Sequence, residues 1–296
     1  MDYEGDLSIL SRLKRGEGRI GMLGLSGCNA GVVGSEQAAA FEKHGLVQNL
    51  KVIAAVSSFA GPALYLTAGK LHEGKSCFWE ECTMPNFLRF TPQRFLQGTA
   101  ANVGFLVEEV FRPEIGTSAF SAYSGDFVVA VTDYETGRGH LVDVGSAKPD
   151  LFAAIHATMA IPVLYRNPVY VNGRRCYDGV VGMPCPAVEV IEQWNLDGLI
   201  LIANRTRQLR DSFGRRLTEA MLSMGMSPAR RRAMLLRHSL VRDGLHKLRQ
   251  SKVPHLILWD DSGDQEIGTY DRDPAVIEAV GKRVYEETVQ LLSHAS

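Results

Sequence analysis

The stretch from Val52 to Gly69 carries no charged side chain and constrains the fold more than any other part of the chain. Leu50 to Val56 predicts a buried strand, and Ala60 to Ala68 predicts a helix of small residues. Two serines, Ser57 and Ser58, form the turn between them. A membrane helix is the alternative, but Ser, Gly, Pro and Thr side chains interrupt the stretch too often for lipid. A strand that turns directly into a helix indicates an α/β sheet with a parallel core.

The same alternation continues along the chain and predicts one large α/β domain spanning residues 1–296. Strands are predicted at 20–25, 50–56, 127–132, 140–144, 199–203 and 255–259, with a hairpin at 169–177 around an Asn-Gly turn. Helices are predicted at 7–13, 36–44, 60–68, 149–159, 188–194 and 274–292. We expect a core at about 20–205, a basic helical segment at 205–252, and a C-terminal strand and helix at 253–296.

Composition excludes several classes of protein. Hydrophobic residues make up 45% and charged residues 22%, which is an ordinary globular mixture and not that of a disordered chain. The net charge of −1 argues against binding of nucleic acid by bulk charge. Five cysteines without a CxxC pair predict neither a disulfide framework nor a zinc site, so no metal is expected. The acidic N-terminus lacks the features of a signal peptide, and we expect a cytoplasmic protein.

Basic residues are concentrated between Arg205 and Lys252, where Lys and Arg far outnumber Asp and Glu. Met and Leu side chains lie opposite the charges in the predicted helix, which is typical of helices at a membrane surface. A solvated helical face, or one paired with the acidic remainder of the chain, remains the alternative. Peripheral membrane contact through 205–252 is therefore one hypothesis for this segment.

A serine between a strand and a helix is the geometry of a nucleophile elbow, in which a sharp turn lifts the hydroxyl out of the sheet. Ser57 occupies that position, with Ser58 as the fallback nucleophile. The usual elbow has glycines two residues before and after the serine, where this chain has Ala55 and Phe59. The pattern alone leaves open an ordinary buried serine that caps a helix.

Three blocks of sequence, in the same order, resemble the patatin-like phospholipases of the bacterial type. The first is a glycine-containing loop at Leu23–Gly31, and the second is the elbow strand and helix at Val52–Gly69. The third comprises Thr132–Gly137, Phe152–Pro162 and Asp178–Val180. The resemblance implies a three-layer α/β/α sandwich with a mainly parallel central sheet, and catalysis without a cofactor.

The resemblance also implies roles for individual residues. Ser57 falls on the family's nucleophile and Asp178 on its catalytic aspartate, which form a dyad without histidine. The backbone N–H groups of Gly27 and Cys28 fall on the oxyanion hole, and backbone donors do not depend on the side chain. Ser58 and Phe59, next to the nucleophile, are expected to contact substrate. The chain departs from the family's motifs at Ser26, Ala30, Ala55, Phe59 and Val180.

The sequence thus predicts a serine acyl hydrolase acting on a lipid or other acyl ester, with the aromatic 77–105 region shaping the acyl pocket. An acyltransferase that passes the acyl group to an acceptor other than water is the first alternative. A catalytically silent patatin-like protein that binds lipid or a partner is the second. The acyl chain, the head group and the oligomeric state are left open by the sequence.

Overall fold

A nine-stranded sheet forms the centre of the molecule. The computed structural model describes residues 2–144, 150–162, 164–204, 207, 227–260 and 273–294. The strands are β1 (Asp2–Gly5), β2 (Ile20–Gly24), β3 (Val52–Val56), β4 (Asp126–Asp133), β5 (Gly139–Asp143), β6 (Val169–Val171), β7 (Arg174–Asp178), β8 (Gly198–Ile202) and β9 (His255–Trp259). Their order is β1-β9-β8-β2-β3-β4-β7-β6, and β5 also pairs with β4.

Strand direction divides the sheet into a parallel centre and antiparallel margins. The central strands β9, β8, β2, β3 and β4 are parallel to their neighbours in this series. Antiparallel pairing joins β1 to β9 at one end, and β5, β6 and β7 at the other. Apolar runs such as Val52–Val56 occupy the centre because parallel strands are covered on both faces.

Helices follow most of the strands. They are α1 (Ser8–Lys14), α2 (Gly31–Lys43), α3 (Ala60–Ala68), α4 (Leu71–Gly74), α5 (Pro92–Gln97), α6 (Val103–Phe105), α7 (Arg112–Ile115), α8 (Leu151–Met159), α9 (Gly179–Gly182), α10 (Ala187–Trp194), α11 (Pro228–Gln250) and α12 (Pro274–His294). A π-helical stretch at Leu106–Phe111 joins α6 to α7. Short 3₁₀ turns include Cys28–Ala30 and Ser57–Phe59, which precede α2 and α3.

Two apolar cores lie on opposite faces of the sheet. Alternate residues of β3 point to opposite sides, so that Ile53 belongs to one core and Val52 to the other. The first core packs against α1, α2, α3, α8 and α12, and the second against α9, α10 and α11. The predicted three-layer α/β/α sandwich with a mainly parallel central sheet is therefore confirmed.

Most of the predicted elements are present, with some differences at their ends. Helix α2 begins at Gly31, before the predicted start at residue 36, because the 3₁₀ turn at Cys28–Ala30 leads directly into it. Strand β1 was not predicted, and it pairs with the C-terminal strand β9. Within the basic segment, α11 is helical as predicted, while residues 205, 206 and 208–226 lie outside the described residues.

Part of the basic segment is paired with acidic residues of β1. The guanidinium of Arg249 lies 2.6 Å from the carboxylate of Glu4, and that of Arg207 lies 3.5 Å from it. Arg207 also lies 3.4 Å from Asp2. These contacts support the alternative that the segment's charge is partly balanced by the rest of the chain. In the part of the chain that the structure describes, no helix has the length and apolar character needed to cross a membrane.

Candidate active site

Strands β3 and β7 approach each other from opposite directions along one edge of β4. Val56, the last residue of β3, pairs with Ala130 of β4. Asp178, the last residue of β7, pairs with Val131, the next residue of the same strand. Strand β5 occupies the other edge of β4. The sheet therefore brings together the C-terminal ends of two strands that are far apart in the chain.

Ser57 and Asp178 are hydrogen-bonded at this junction. The Oγ of Ser57 donates to the Oδ2 of Asp178 over 2.7 Å. Ser57 has a φ of +57°, a left-handed backbone conformation that is unusual for a residue with a Cβ and typical of a nucleophile elbow. The turn redirects the chain from β3 into the 3₁₀ turn and α3, and it aims the hydroxyl at the carboxylate.

Thr158 of α8 holds the elbow in place. Its Oγ1 accepts the N–H of Ser57 over 3.0 Å and donates to the carbonyl oxygen of Ala130 over 2.6 Å. The hydroxyl of this one buried side chain thus connects α8 to the end of β3 and to β4. Thr132 acts similarly behind the carboxylate, since its Oγ1 donates to the carbonyl of Asp178 and accepts the N–H of Gly182. Both threonines lie in the quoted sequence blocks, but nothing in the pattern marked them as supporting residues.

The carboxyl group of Asp178 is buried beneath the elbow. Its Oδ1 accepts the N–H of Val180 over 2.8 Å, at the start of α9. Burial raises the pKa of Asp178 to about 7, and the hydrogen bonds from Val180 and Ser57 together with the charge of Arg237 on α11 act in the opposite direction. A carboxyl group with such a pKa can gain and release a proton near neutral pH.

The loop after β2 contains Gly27 and Cys28, whose backbone N–H groups the sequence predicts to form an oxyanion hole. Gly27 is sterically required, because a Cβ there would lie 2.9 Å from the amide nitrogen of Gly31. Cys28 follows with a φ of +51° and begins the 3₁₀ turn, whose first amide is not used within the turn. Burial raises the pKa of the Cys28 thiol to about 12, so the thiol is neutral and contributes no charge to the loop.

Ser58 joins this loop to the elbow. The N–H of Gly27 donates to the Oγ of Ser58 over 2.8 Å, so one of the two predicted oxyanion donors is engaged by a side chain of the protein. The small residue Gly31 leaves room for this contact, since a Cβ there would lie 3.0 Å from the Ser58 hydroxyl. The contact of Ser58 with substrate stays a prediction. The observed contact of its hydroxyl is with the backbone of the loop after β2.

Phe59 is fully buried in the first core, on the side of the elbow where the usual motif has glycine. Its ring lies directly over Gly24 at the end of β2, and a Cβ on Gly24 would come within 2.0 Å of two ring atoms. The elbow has Phe59 where the usual motif has glycine, and Gly24 in the neighbouring strand leaves the space that the Phe59 ring fills. This placement favours a packing role for Phe59, and its predicted contact with substrate stays untested.

Within the described residues, no cluster of His, Cys, Asp and Glu side chains has the arrangement of a metal site. His156 lies on α8 two residues before Thr158, and its ring packs against Tyr165 with centroids 4.9 Å apart. Burial lowers the pKa of His156. The groups that meet at the junction are thus a hydroxyl, a carboxyl and backbone amides, which together suit acyl transfer through a serine.

Comparison with known proteins gives likenesses in structure only. No model of a known protein family matches the chain, and no curated protein matches it. VipD from Legionella pneumophila has a similar structure at a TM-score of 0.47 and 13% identity, covering 93% of this chain and 67% of that chain. The type III effector protein ExoU gives a TM-score of 0.27 and 10% identity, covering 92% of this chain and 61% of that chain. These values assign no activity to this chain.

Proposed function

We propose that this protein is a patatin-like serine acyl hydrolase that cleaves a lipid or another acyl ester through a Ser57–Asp178 dyad. The hydrogen bond of 2.7 Å from the Ser57 hydroxyl to the buried Asp178 carboxylate is the observation that carries the proposal. The left-handed backbone at Ser57 and the glycine-containing loop beside it support the same function. The order of these groups along the chain agrees with the family that the sequence resembles.

In the proposed reaction, Asp178 acts as the general base. The Oγ of Ser57 attacks the ester carbonyl, and its proton passes to Asp178 as the new C–O bond forms. The N–H groups of Gly27 and Cys28 hold the negative charge on the carbonyl oxygen, and one such donor typically contributes about 3 kcal/mol in the transition state. Collapse of the tetrahedral intermediate expels the alcohol, which takes the proton from Asp178. Water then attacks the acyl carbonyl and gives a proton to Asp178. The bond between the acyl group and the Ser57 Oγ breaks, the Oγ takes this proton back, and the carboxylic acid is released.

Ser58 takes part in this scheme because it engages the Gly27 amide. For Gly27 to donate to the oxyanion, its N–H must exchange the Ser58 hydroxyl for the substrate oxygen. The amide is thereby kept satisfied before substrate arrives, and the loop is held against the elbow.

A catalytically silent protein that binds lipid or a partner is the second candidate function. The engaged N–H of Gly27 is the observation that favours it, since a filled oxyanion hole would not serve catalysis. An acyltransferase would use the same dyad, and it differs only in the acceptor of the acyl group.

Labelling with a fluorophosphonate probe, followed by peptide mass spectrometry, tests the proposal. We expect one adduct, on Ser57, which is lost in Ser57→Ala and retained in Ser58→Ala. Hydrolysis of a soluble p-nitrophenyl ester should fall at least about 10³-fold in Ser57→Ala, because the nucleophile is removed. Ser121→Ala is the matched control, since its hydroxyl donates to the Ala68 carbonyl away from the site.

An adduct on Ser58 would transfer the nucleophile to the next residue and contradict the proposed dyad. A folded protein that forms no adduct and hydrolyses no ester would favour the silent protein. Product analysis with an added alcohol separates the two enzymatic alternatives, because a transferase forms the new ester and a hydrolase releases the free acid.

A further inference from the structure

A surface segment between the catalytic elements exposes apolar side chains. The segment Met84–Gly98, called the apolar tip here, includes α5. Leu96 on this helix is 82% exposed, and Met84 and Phe90 are 42% and 37% exposed. The Phe90 ring stacks on Phe95 with centroids 6.0 Å apart. Single exposed apolar residues are common, but three large ones within one short segment make it a candidate interaction surface.

Three arginines lie within or beside the apolar tip. Arg89 and Arg94 are the only charged residues of the segment, and no acidic residue lies in it. Arg166 lies next to the end of the tip, where its backbone N–H donates to the Gly98 carbonyl oxygen over 2.9 Å. Arg89 and Arg166 are exposed. Apolar side chains beside exposed guanidinium groups fit the boundary between the acyl chains and the anionic head groups of a membrane.

The apolar tip is connected to the candidate active site by a short stretch of backbone. Thr99, immediately after the tip, forms a bridge with Tyr165. Five residues before Tyr165, the carbonyl of Ala160 accepts the N–H of Asp178 over 3.1 Å. The same segment of chain therefore supports both the base and the exposed tip.

We propose that the apolar tip docks on a lipid surface that contains anionic head groups. Leu96 and Phe90 enter the interfacial region, and Arg89, Arg94 and Arg166 lie among the phosphates. The three arginines complement anionic head groups, and Leu96, which is 82% exposed, offers an apolar side chain to the acyl region beneath them. This docking proposal rests on the proposed function, because an enzyme that cleaves lipid esters must bind the surface that contains them.

A second exposed pair, Leu235 and Leu236 on α11, lies next to Arg231 and Arg232 and provides the competing surface. It belongs to the basic segment for which the sequence predicted membrane contact. Leu96 is exposed to about twice the fraction of either leucine of this pair. The test therefore compares one leucine of each surface.

Vesicle sedimentation provides the test, with Ser57→Ala in every chain so that the lipid is not consumed. Vesicles are made of phosphatidylcholine alone, or with about one third phosphatidylglycerol. We expect stronger binding to the anionic vesicles, and a loss of affinity of at least about tenfold on Leu96→Glu. Leu96→Ala should weaken binding less, and Arg89→Gln with Arg166→Gln should remove the preference for phosphatidylglycerol. Leu236→Glu, the matched control, should bind as the parent chain.

Hydrolysis of the soluble ester, measured with Ser57 intact, separates this proposal from the proposed function. Because Leu96 is 82% exposed and is not one of the aromatic residues expected to shape the acyl pocket, we expect its substitutions to leave this hydrolysis unchanged. Vesicle binding that Leu96→Glu does not weaken, or that Leu236→Glu abolishes instead, would overturn docking through the tip. A protein that hydrolyses the soluble ester and binds neither kind of vesicle would overturn the docking proposal alone. Binding that depends on Leu96, in a protein that hydrolyses no ester, would support docking and contradict the hydrolase.

Discussion

Two residues with side chains adopt left-handed backbone conformations where β2 and β3 end. They are Cys28 and Ser57, with φ values of +51° and +57°. The left-handed conformation costs about 1 to 2 kcal/mol for a residue with a Cβ. At Ser57 the hydrogen bonds to Thr158 and Asp178 offset this cost. Local strain of this kind is often found at functional sites, and here it directs the hydroxyl at the carboxylate.

The pKa of Asp178, raised to about 7 by burial, predicts how activity depends on pH. The general base must be ionised, so kcat/KM for a soluble ester should rise about tenfold per pH unit below pH 7 and level off above it. The measurement is a pH profile of kcat/KM on the folded protein. A profile without an ionisation near neutrality would contradict the role of Asp178 as the base.

The same ionisation predicts a change in stability. Because the folded-state pKa lies above the ordinary value of 3.8, the folded protein binds more protons than the unfolded chain between these values. Asp178 therefore contributes stability at low pH that is lost as the pH rises through about 7. Asp178→Asn, which removes the buried charge, should raise the free energy of unfolding above pH 7 by on the order of 1 to 4 kcal/mol.

Urea denaturation at several pH values measures this effect. The advantage of Asp178→Asn over the parent chain should shrink as the pH falls toward 4, while ester hydrolysis is lost at every pH. An equal advantage at all pH values would indicate a packing effect and not the removal of a buried charge.

At the scale of elements, the contact of Phe59 with Gly24 joins the elbow to the neighbouring strand β2. The ring covers the glycine so closely that a methyl group on residue 24 has no room. Strand β2 also leads into the loop that holds Gly27, so the same packing positions the elbow and the loop relative to each other. An aromatic ring in the elbow is tolerated because its partner residue has no side chain.

A double-mutant cycle tests this packing. Gly24→Ala should destabilise the protein by about 1 to 3 kcal/mol through overpacking, and Phe59→Ala by about 3 to 5 kcal/mol through the cavity it leaves. The double variant should be more stable than the sum of both losses predicts, because the added methyl group fills part of the space left by the ring. Urea denaturation gives the free energies of unfolding.

Gly198→Ala is the control for this cycle. Gly198 also lies in a central strand, β8, and a Cβ there would have its nearest neighbour, Ile20, at an ordinary distance of 3.4 Å. Its replacement should change the free energy of unfolding by less than about 1 kcal/mol. Strict additivity of the Gly24 and Phe59 substitutions would contradict direct packing between the two residues.

The elements show what the sequence could and could not predict. Buried strands such as β3 and β8 were predicted because apolar runs bounded by turns are a strong local signal. Strand β1 was not predicted, because Asp2–Gly5 is short and polar and pairs with β9, a strand from the C-terminal part of the chain. The partnership of Phe59 with Gly24 and that of Ser58 with Gly27 depend on tertiary contacts, which a single sequence does not contain.

Across the whole molecule, the N-terminal strand pairs with a strand from the C-terminal part of the chain. Strand β1 covers the edge of β9, and α12 packs on the first core together with α2. Glu4 of β1 also pairs with Arg249 at the end of α11. A strand that covers an edge protects its backbone groups from pairing with another chain.

Removal of residues 2–6 should therefore expose the edge of β9. We expect a less stable protein that forms oligomers, measured by urea denaturation and size-exclusion chromatography. Glu4→Gln, the control, keeps the strand and weakens the partly buried ion pairs of Glu4, so it should change the free energy of unfolding by on the order of 1 kcal/mol. A shortened chain that stays monomeric and equally stable would show that β1 is dispensable.

The meeting of β3 and β7 on the edge of β4 also bears on when the chain can first react. During synthesis Ser57 emerges from the ribosome before Asp178 has been added to the chain. In that interval the serine has no general base. Only after β7 has docked beside Val56 does the hydroxyl gain its partner. If the dyad acts as proposed, a nascent or partly unfolded chain is chemically inert toward esters. The serine becomes reactive only as β7 completes this edge of the sheet.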